Sequence, residues 1–284
     1  MQLLYGAPVA QQIEDDIALL KDRHQLNDVA IGLTIVVVGR DPASALYVRN
    51  KTKASERLGI IAQVLELAED ISSKELETQI RRLNENPDVH GILLQAPLPK
   101  HLPFDQAISW IDPYKDVDGF HPLNVGKLIS DQAVLKPCTP AGIMRMLNFY
   151  QIKTTTNILV IGRSSIVGTP LALMLSRPGI DSTVTLAHSK TTNLEPLVRQ
   201  HTLIISAVGK PIIPKEWLST DAVVIDVGTV PMTDAQGKRY WVGDVDPQAI
   251  CKAKSPVPKG VGPITVAMLM YNTVQAYLLQ QGLR

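Results

Sequence analysis

Short apolar runs, rich in β-branched residues and bounded by glycine or polar positions, alternate along this chain with longer segments of helical period. That alternation is the pattern of parallel strands buried between helices. In the first half, LTIVVVG (33–39), AQVLELA (62–68) and VHGILLQ (89–95) predict strands, with helices over about 8–23, 42–58 and 72–85. In the second half, NILVIG (157–162), STVTLAH (182–188), TLIISAVG (202–209) and AVVIDVG (222–228) predict further strands, and a helix over about 263–281 closes the chain.

Between the halves, IDPYKDVDGFHPLNVGKLISDQAVLKPCTPAG (111–142) carries four prolines and several turn formers, and reads as a connector. The expected fold class is α/β, with two domains and a cleft between them, a favoured place for ligands. No internal repeat or low-complexity tract interrupts the pattern.

Composition narrows the class. The 284 residues suffice for one large or two ordinary domains, and 45% hydrophobic content supplies their cores. Charged residues make up 19% and the net charge is +1, which argues against nucleic acid or an anionic membrane as partner and for small or neutral ligands. Cys138 and Cys251 form no C-x-x-C or Cys/His cluster, so neither a disulfide framework nor a metal site is expected, and a reducing cytoplasm is the default. MQLLYGAPVAQQIEDD has no basic leader region and does not read as a signal peptide. The apolar runs fall far short of the ~20 residues that span a bilayer, so a soluble protein is expected.

NILVIGRSSIVGTPLALML (157–175) orders a strand, a glycine turn, a small polar loop, a second glycine and a proline suited to a first helical turn. Its spacing departs from G-x-G-x-x-G, but such a loop still brings backbone N–H groups and a helix dipole to a phosphate. The candidates are Gly162, Arg163, Ser164, Ser165 and Gly168. The plain alternative is a strand–turn–helix joint that needs two glycines for geometry alone. The next strand ends LAHSKT, with His188, Ser189 and Lys190 and no carboxylate for a ribose 2′-hydroxyl. Donors and cations there and at Arg163 suit a 2′-phosphate, which favours NADP over NAD.

GRDPASALYVRNKTKASERLGI (39–60) predicts a helix opened by Asp41 and Pro42 and closed by Gly59. Tyr47 and Lys51, four apart, share one face. The lysine becomes a useful acid or base only where burial or a neighbour lowers its pKa; a solvated basic face with Arg49, Lys53 and Arg57 is the alternative. Gln95 ends a strand before prolines forbid regular sheet, and either caps the strand or faces the cleft. Asp116 and Asp118 form an Asp-x-Asp pair in a turn-rich loop, a weak magnesium signal or simple turn formers. PVPKGVGPITVAML (256–269) is a hinge or an amide-presenting loop.

Taken in order, YVRNKTKA, GILLQAPLP, KDVDGFHPLNVGKL, PCTPAGI, VIGRSSIVGTP, HSKT, SAVGKP, VIDVG, GDV and PVPKGVGPITVAML resemble the methylenetetrahydrofolate dehydrogenase/methenyltetrahydrofolate cyclohydrolase family over nearly the whole chain. The resemblance implies a folate-binding catalytic domain over 1–136 joined by a C-terminal helix over 265–284, with a Rossmann-like NADP-binding domain over 137–264. It further implies a homodimer and tetrahydrofolate derivatives as partners. Two reactions follow from it: oxidation of 5,10-methylenetetrahydrofolate with NADP, and hydrolysis of the resulting methenyl cation to 10-formyltetrahydrofolate.

By the same resemblance, Lys51 is the essential lysine of hydrolysis, Tyr47 stacks on the folate, Gln95 hydrogen-bonds Lys51 and Asp118 binds the pterin ring. The substrate of the second step is itself a cation, which pushes a nearby lysine towards the neutral form that can act as a base. Gly162, Arg163 and Ser164 match the phosphate turn that Ser165 and Gly168 continue, and Ser189 lies at the 2′-phosphate position. Gly262, Pro263 and Thr265, in the Gly260–Thr265 loop, border the folate. Three positions depart from the family pattern: Ala96 for leucine in Q-L-P-L-P, Lys259 for the first glycine of P-G-G-V-G-P, and Thr229 for isoleucine beside the cofactor. The rival readings are a monofunctional dehydrogenase, a silent nucleotide-binding regulator and an unrelated NADP dehydrogenase of small acids. The regulator would lack Lys51 or Asp118, and both are present.

Overall fold

A computed structural model describes the chain except Asp41, Asp234, Ala235, Gln236, Lys238 and Arg284, and except the side chains of Pro42, Ala43, Ser44 and Leu46. The chain divides into two units, Gln12–Cys138 with Val266–Arg284, and Met1–Gln11 with Thr139–Thr265. In chain order the first half forms β1 (Gln2–Leu3), α1 (Gly6–Arg23), β2 (Ile31–Val38), α2 (Pro42–Arg57), β3 (Ile60–Leu67), α3 (Ser73–Glu85) and β4 (Gly91–Leu94). The predicted strands and helices form within a few residues of their expected bounds. Asp41, the predicted cap of α2, lies outside the described residues, while Gly59 closes that helix at φ 65°.

The segment 111–142 is more than a connector. After α4 (Phe104–Ser109), it holds α5 (Pro122–Ile129) and the start of α6 (Cys138–Phe149). Its prolines misled because Pro122 and Pro140 lie in first helical turns, where a missing N–H costs no hydrogen bond.

In the first unit, β2 runs between β3 and β4, all parallel, in register from Ile31–Ile60 to Val38–Leu67 and from Leu33–Gly91 to Val36–Leu94. Val36, Ile92 and Leu94 pack with Leu76 and Ile80 of α3 and Ile108 of α4. Each such buried side chain contributes about 1.5–3 kcal/mol. A capping box starts α3: Ser72 Oγ accepts from Glu75 N–H, and the Glu75 carboxylate accepts from Ser72 N–H at 2.9 Å.

The second half continues with β5 (Asn157–Ile161), α7 (Gly168–Ser176), β6 (Thr183–Ala187), α8 (Leu194–Gln200), β7 (Leu203–Ser206), β8 (Val223–Asp226), β9 (Val230–Thr233), β10 (Arg239–Val242), β11 (Ala253–Lys254) and α9 (Val261–Gln280). One parallel sheet has the order β1-β11-β8-β7-β5-β6, and β9 with β10 makes a separate antiparallel ribbon. The pairing of β1 with β11 brings the first residues into this unit. Both strands have only two residues, too few to show a period. Because β5 lies between β6 and β7, successive connections leave it to opposite sides, which opens a crevice at the carboxyl ends of these strands.

The Gly260–Thr265 segment is largely helical, since α9 begins at Val261 and carries Gly262, Pro263 and Thr265 in its first turns. Lys259, just before it, adopts φ 87°, and its carbonyl accepts Gly6 N–H at 2.8 Å. A side chain in that left-handed region costs about 1–2 kcal/mol relative to glycine. Among the described residues no helix is long and apolar enough to cross a membrane.

Candidate active site

Lys51 is set apart from its helix neighbours by its surroundings. Arg49, Lys53 and Arg57 are exposed, whereas Lys51 is half-buried and donates from Nζ to Gln95 Oε1 at 2.9 Å. Gln95, itself buried, extends β4 through its N–H to Val36 O at 2.9 Å. Its Nε2 donates to Ala96 O at 2.7 Å, which turns the amide oxygen towards the lysine. The side chain therefore faces Lys51 and does not cap the strand. Tyr47, one turn earlier on α2, is 42% exposed and offers its ring for contact.

Desolvation lowers the pKa of Lys51, opposed by the charge of Asp118 and more weakly by Cys138. Burial pushes Asp118 up to about 7, with Lys51 pulling it down and Asp116 pushing it further up. Both shifts run towards the neutral forms, the direction that burial imposes on an amine and on a carboxyl.

The Asp-x-Asp pair divides into two roles. Asp116 accepts from the N–H groups of Gly119, Phe120 and His121 at 3.1, 3.2 and 2.8 Å, and from Asn124 Nδ2 at 2.9 Å. It holds the turn, and its neighbour Asp118 is the carboxylate left facing Lys51. Beneath them, Asn272 of α9 donates from Nδ2 to Val117 O and Lys136 O, both at 2.8 Å. Cys138 Sγ donates to Val117 O at 3.3 Å, and burial drives its thiol pKa well up, so it stays a protonated prop.

Sequence reasoning left these supports unassigned, although an asparagine inside the apolar run VAMLMYNTVQAYLL was a visible signal. Asp118→Asn is expected to stabilise the protein more at pH 8 than at pH 5. The native carboxyl holds its proton up to about 7 while the unfolded one releases it near 4, so this group's contribution is full below about 4 and lost as pH rises through 7. Thermal denaturation at the two pH values reads the difference, about 5 °C; an equal shift at both would contradict the buried-acid reading.

In the second unit the phosphate-turn candidates gather at the carboxyl ends of β5 and β6. Gly162 adopts φ 112°, and a Cβ there would overlap Ala207 O; a Cβ at Gly168 would overlap Gly162 O. Both glycines are thus required by close backbone packing, as in the plain reading. Ser164 ties the loop by accepting Val167 N–H on Oγ at 3.2 Å and Thr169 N–H on its carbonyl at 3.1 Å. Arg163, Ser164 and Ser165 are exposed. At the end of β6, His188 N–H donates to Thr191 Oγ1 at 2.9 Å and Lys190 N–H to His188 Nδ1 at 3.2 Å, which leaves Ser189 and Lys190 exposed. Thr229, also exposed, follows β8, and Thr265 Oγ1 lies 3.0 Å from Thr139 Oγ1.

A parallel sheet with a glycine turn at its switch point in the second unit, and a desolvated lysine in the first, define a nucleotide-binding α/β enzyme. The model of the tetrahydrofolate dehydrogenase/cyclohydrolase catalytic domain matches residues 4–118, and that of the family's NAD(P)-binding domain matches 137–281. The chain belongs to that family. It is 45% identical over 284 residues to the bifunctional protein FolD of Chlamydia caviae, covering 97% of this chain and 98% of the relative. The crystal structure of the bifunctional FolD methylenetetrahydrofolate dehydrogenase/cyclohydrolase from Campylobacter jejuni superposes with a TM-score of 0.90 at 38% identity, covering 99% of each chain. That of the Trypanosoma brucei enzyme, complexed with NADP cofactor and inhibitor, does so with a TM-score of 0.86 at 34% identity, over 97% of this chain and 95% of the other.

Proposed function

We propose that this protein oxidises 5,10-methylenetetrahydrofolate with NADP and hydrolyses the methenyl product to 10-formyltetrahydrofolate. The observation that carries the reading is Lys51, desolvated, hydrogen-bonded to Gln95 and charge-coupled to Asp118. Bound NADP supplies the hydride acceptor. The donor set suits it: Arg163, Ser164, Ser165, Ser189 and Lys190 offer cations and hydroxyls at the two strand ends, and neither loop has a carboxylate to repel a 2′-phosphate. Thr229 borders the cofactor.

On the folate side, Tyr47 stacks on the substrate and Asp118 holds the pterin, with Gly262, Pro263 and Thr265 at its border. In hydrolysis the neutral Lys51 amine takes a proton from water as the oxygen bonds to the amidinium carbon. The resulting ammonium protonates N5 as its bond to that carbon breaks, and the remaining hydroxyl proton leaves to solvent with formation of the formyl group. Gln95 Oε1 accepts from Lys51 in either charge state and keeps Nζ aimed.

The folate role is assigned to 1–136 with 265–284, and the NADP role to 137–264, with β1 lent to the nucleotide sheet. A homodimer is part of the proposal, supported by the eight-residue edge strand β3, where Ile61 and Val64 are 52% and 40% exposed. So is a cytoplasmic location, supported by two free, buried cysteines. The test incubates purified protein with 5,10-methylenetetrahydrofolate and NADP or NAD while following reduced nicotinamide and methenyl absorbance together. Coupled reduction and later methenyl decay are expected with NADP; no reduction with either nucleotide defeats the proposal.

A further inference from the structure

Two fully sequestered carboxylates in the nucleotide unit, absent from the chemistry above, grip each other's loops. Asp226, at the end of β8 and 4% exposed, accepts Gly228 N–H at 3.1 Å and Asp244 N–H at 2.9 Å on Oδ1, and Val245 N–H at 3.0 Å on Oδ2. Asp244, with no exposure, accepts Ser206 Oγ–H and Val208 N–H, both at 2.7 Å, on Oδ2, and Lys210 N–H at 2.9 Å on Oδ1. All six partners are donors, the pattern that suits acceptor-only carboxylates. The adjoining glycines complete the lock. A Cβ at Gly228 would overlap Asp244 Oδ1, and a Cβ at Gly243 would overlap Asp226 Oδ2.

The lock joins three loops beyond the strands: 207–210 after β7, 227–229 after β8, and 243–245 after β10. The first is also the wall of the phosphate turn, because Ala207 N–H donates to Ile161 O at 2.8 Å and Ala207 O packs against Gly162. The second carries Thr229. We infer that Asp226 and Asp244 are positioning residues for the cofactor, a crossed carboxylate brace that keeps the loops after β5, β7 and β8 in the shape that receives NADP. The inference rests on the NADP reading above and gives the motifs VIDVG and GDV a shared purpose: each supplies one carboxylate and the glycine that makes room for the other. Burial, with Asp244 beside it, pushes Asp226 up to about 6, while the N–H donors of Asp244, Val245 and Gly228 pull it down and so favour the charged form.

Asparagine at either position would present N–H to N–H. In the full-length protein, Asp244→Asn is expected to weaken NADP about tenfold in equilibrium Kd. It should also speed amide hydrogen exchange over 207–210 and 227–229 in the cofactor-free state. Methenyl hydrolysis, which needs no nucleotide, should change by less than about twofold. Gly228→Ala displaces the same carboxylate and should reproduce the loss, and the double variant should be no worse than either single one. If Asp244→Asn fails to fold, Ser206→Ala, which keeps the charge and removes one donor, should weaken NADP about threefold. An unchanged Kd in the folded variant, or losses that multiply in the double variant, overturns the brace. Failure of the wild-type protein to bind NADP would instead overturn the cofactor reading on which it rests.

Discussion

Replacing Lys51 with glutamine is expected to lower methenyl hydrolysis by about 10²–10⁴-fold, the usual contribution of a positioned acid–base group. Glutamine can still donate to Gln95 Oε1, so the 2.9 Å contact survives in kind, but it can neither take a proton from water nor return one. The fold should not suffer, because the substitution removes a desolvated cation whose burial opposes stability. Single-turnover decay of methenyl absorbance, with thermal denaturation alongside, separates lost chemistry from lost structure. Hydrolysis at the wild-type rate would remove Lys51 from the mechanism. Reduction of NADP should fall less than hydrolysis, since hydride transfer does not require the lysine to exchange a proton.

The second large effect is expected in the other unit, where the combined substitution Arg163→Ala and Ser189→Asp should weaken NADP about 100-fold while changing NAD little. The first change removes a charged donor able to grip phosphate bidentately, worth about 1.5–3 kcal/mol. The second places a carboxylate where no acid stands after β6, repelling a 2′-phosphate and accepting from a ribose 2′-hydroxyl. Competition binding with the two nucleotides reads the ratio. An unchanged preference would show that discrimination lies elsewhere than at these two strand ends.

Both predictions start from features visible in the linear chain, but to different degrees. The phosphate turn was legible because strand, glycine, polar loop and helix are contiguous, and local order carries the geometry. The reason for its glycines was not, since Gly162 packs on Ala207, forty-five residues away in sequence. Lys51 on spacing alone was one cation among several on a helix. What distinguishes it is Gln95 from the end of β4 and Asp118 from a later turn, contacts that no helical period encodes. The segment 111–142 shows the converse error: prolines that read as connector open helices, because a first-turn proline and a loop proline look alike until hydrogen bonding is known.

The sequence by itself determined the α/β class, the main strands and helices, the family and the residue types available for chemistry, because apolar period, turn formers and contiguous motifs are local properties of the chain. Tertiary structure alone decided which of these groups meet. It set Lys51 against Gln95 and Asp118, committed Asp116 to a turn, and crossed the carboxylates of Asp226 and Asp244 between loops. Those pairings depend on desolvation and on donors brought in from distant segments, and neither exists until the chain has folded.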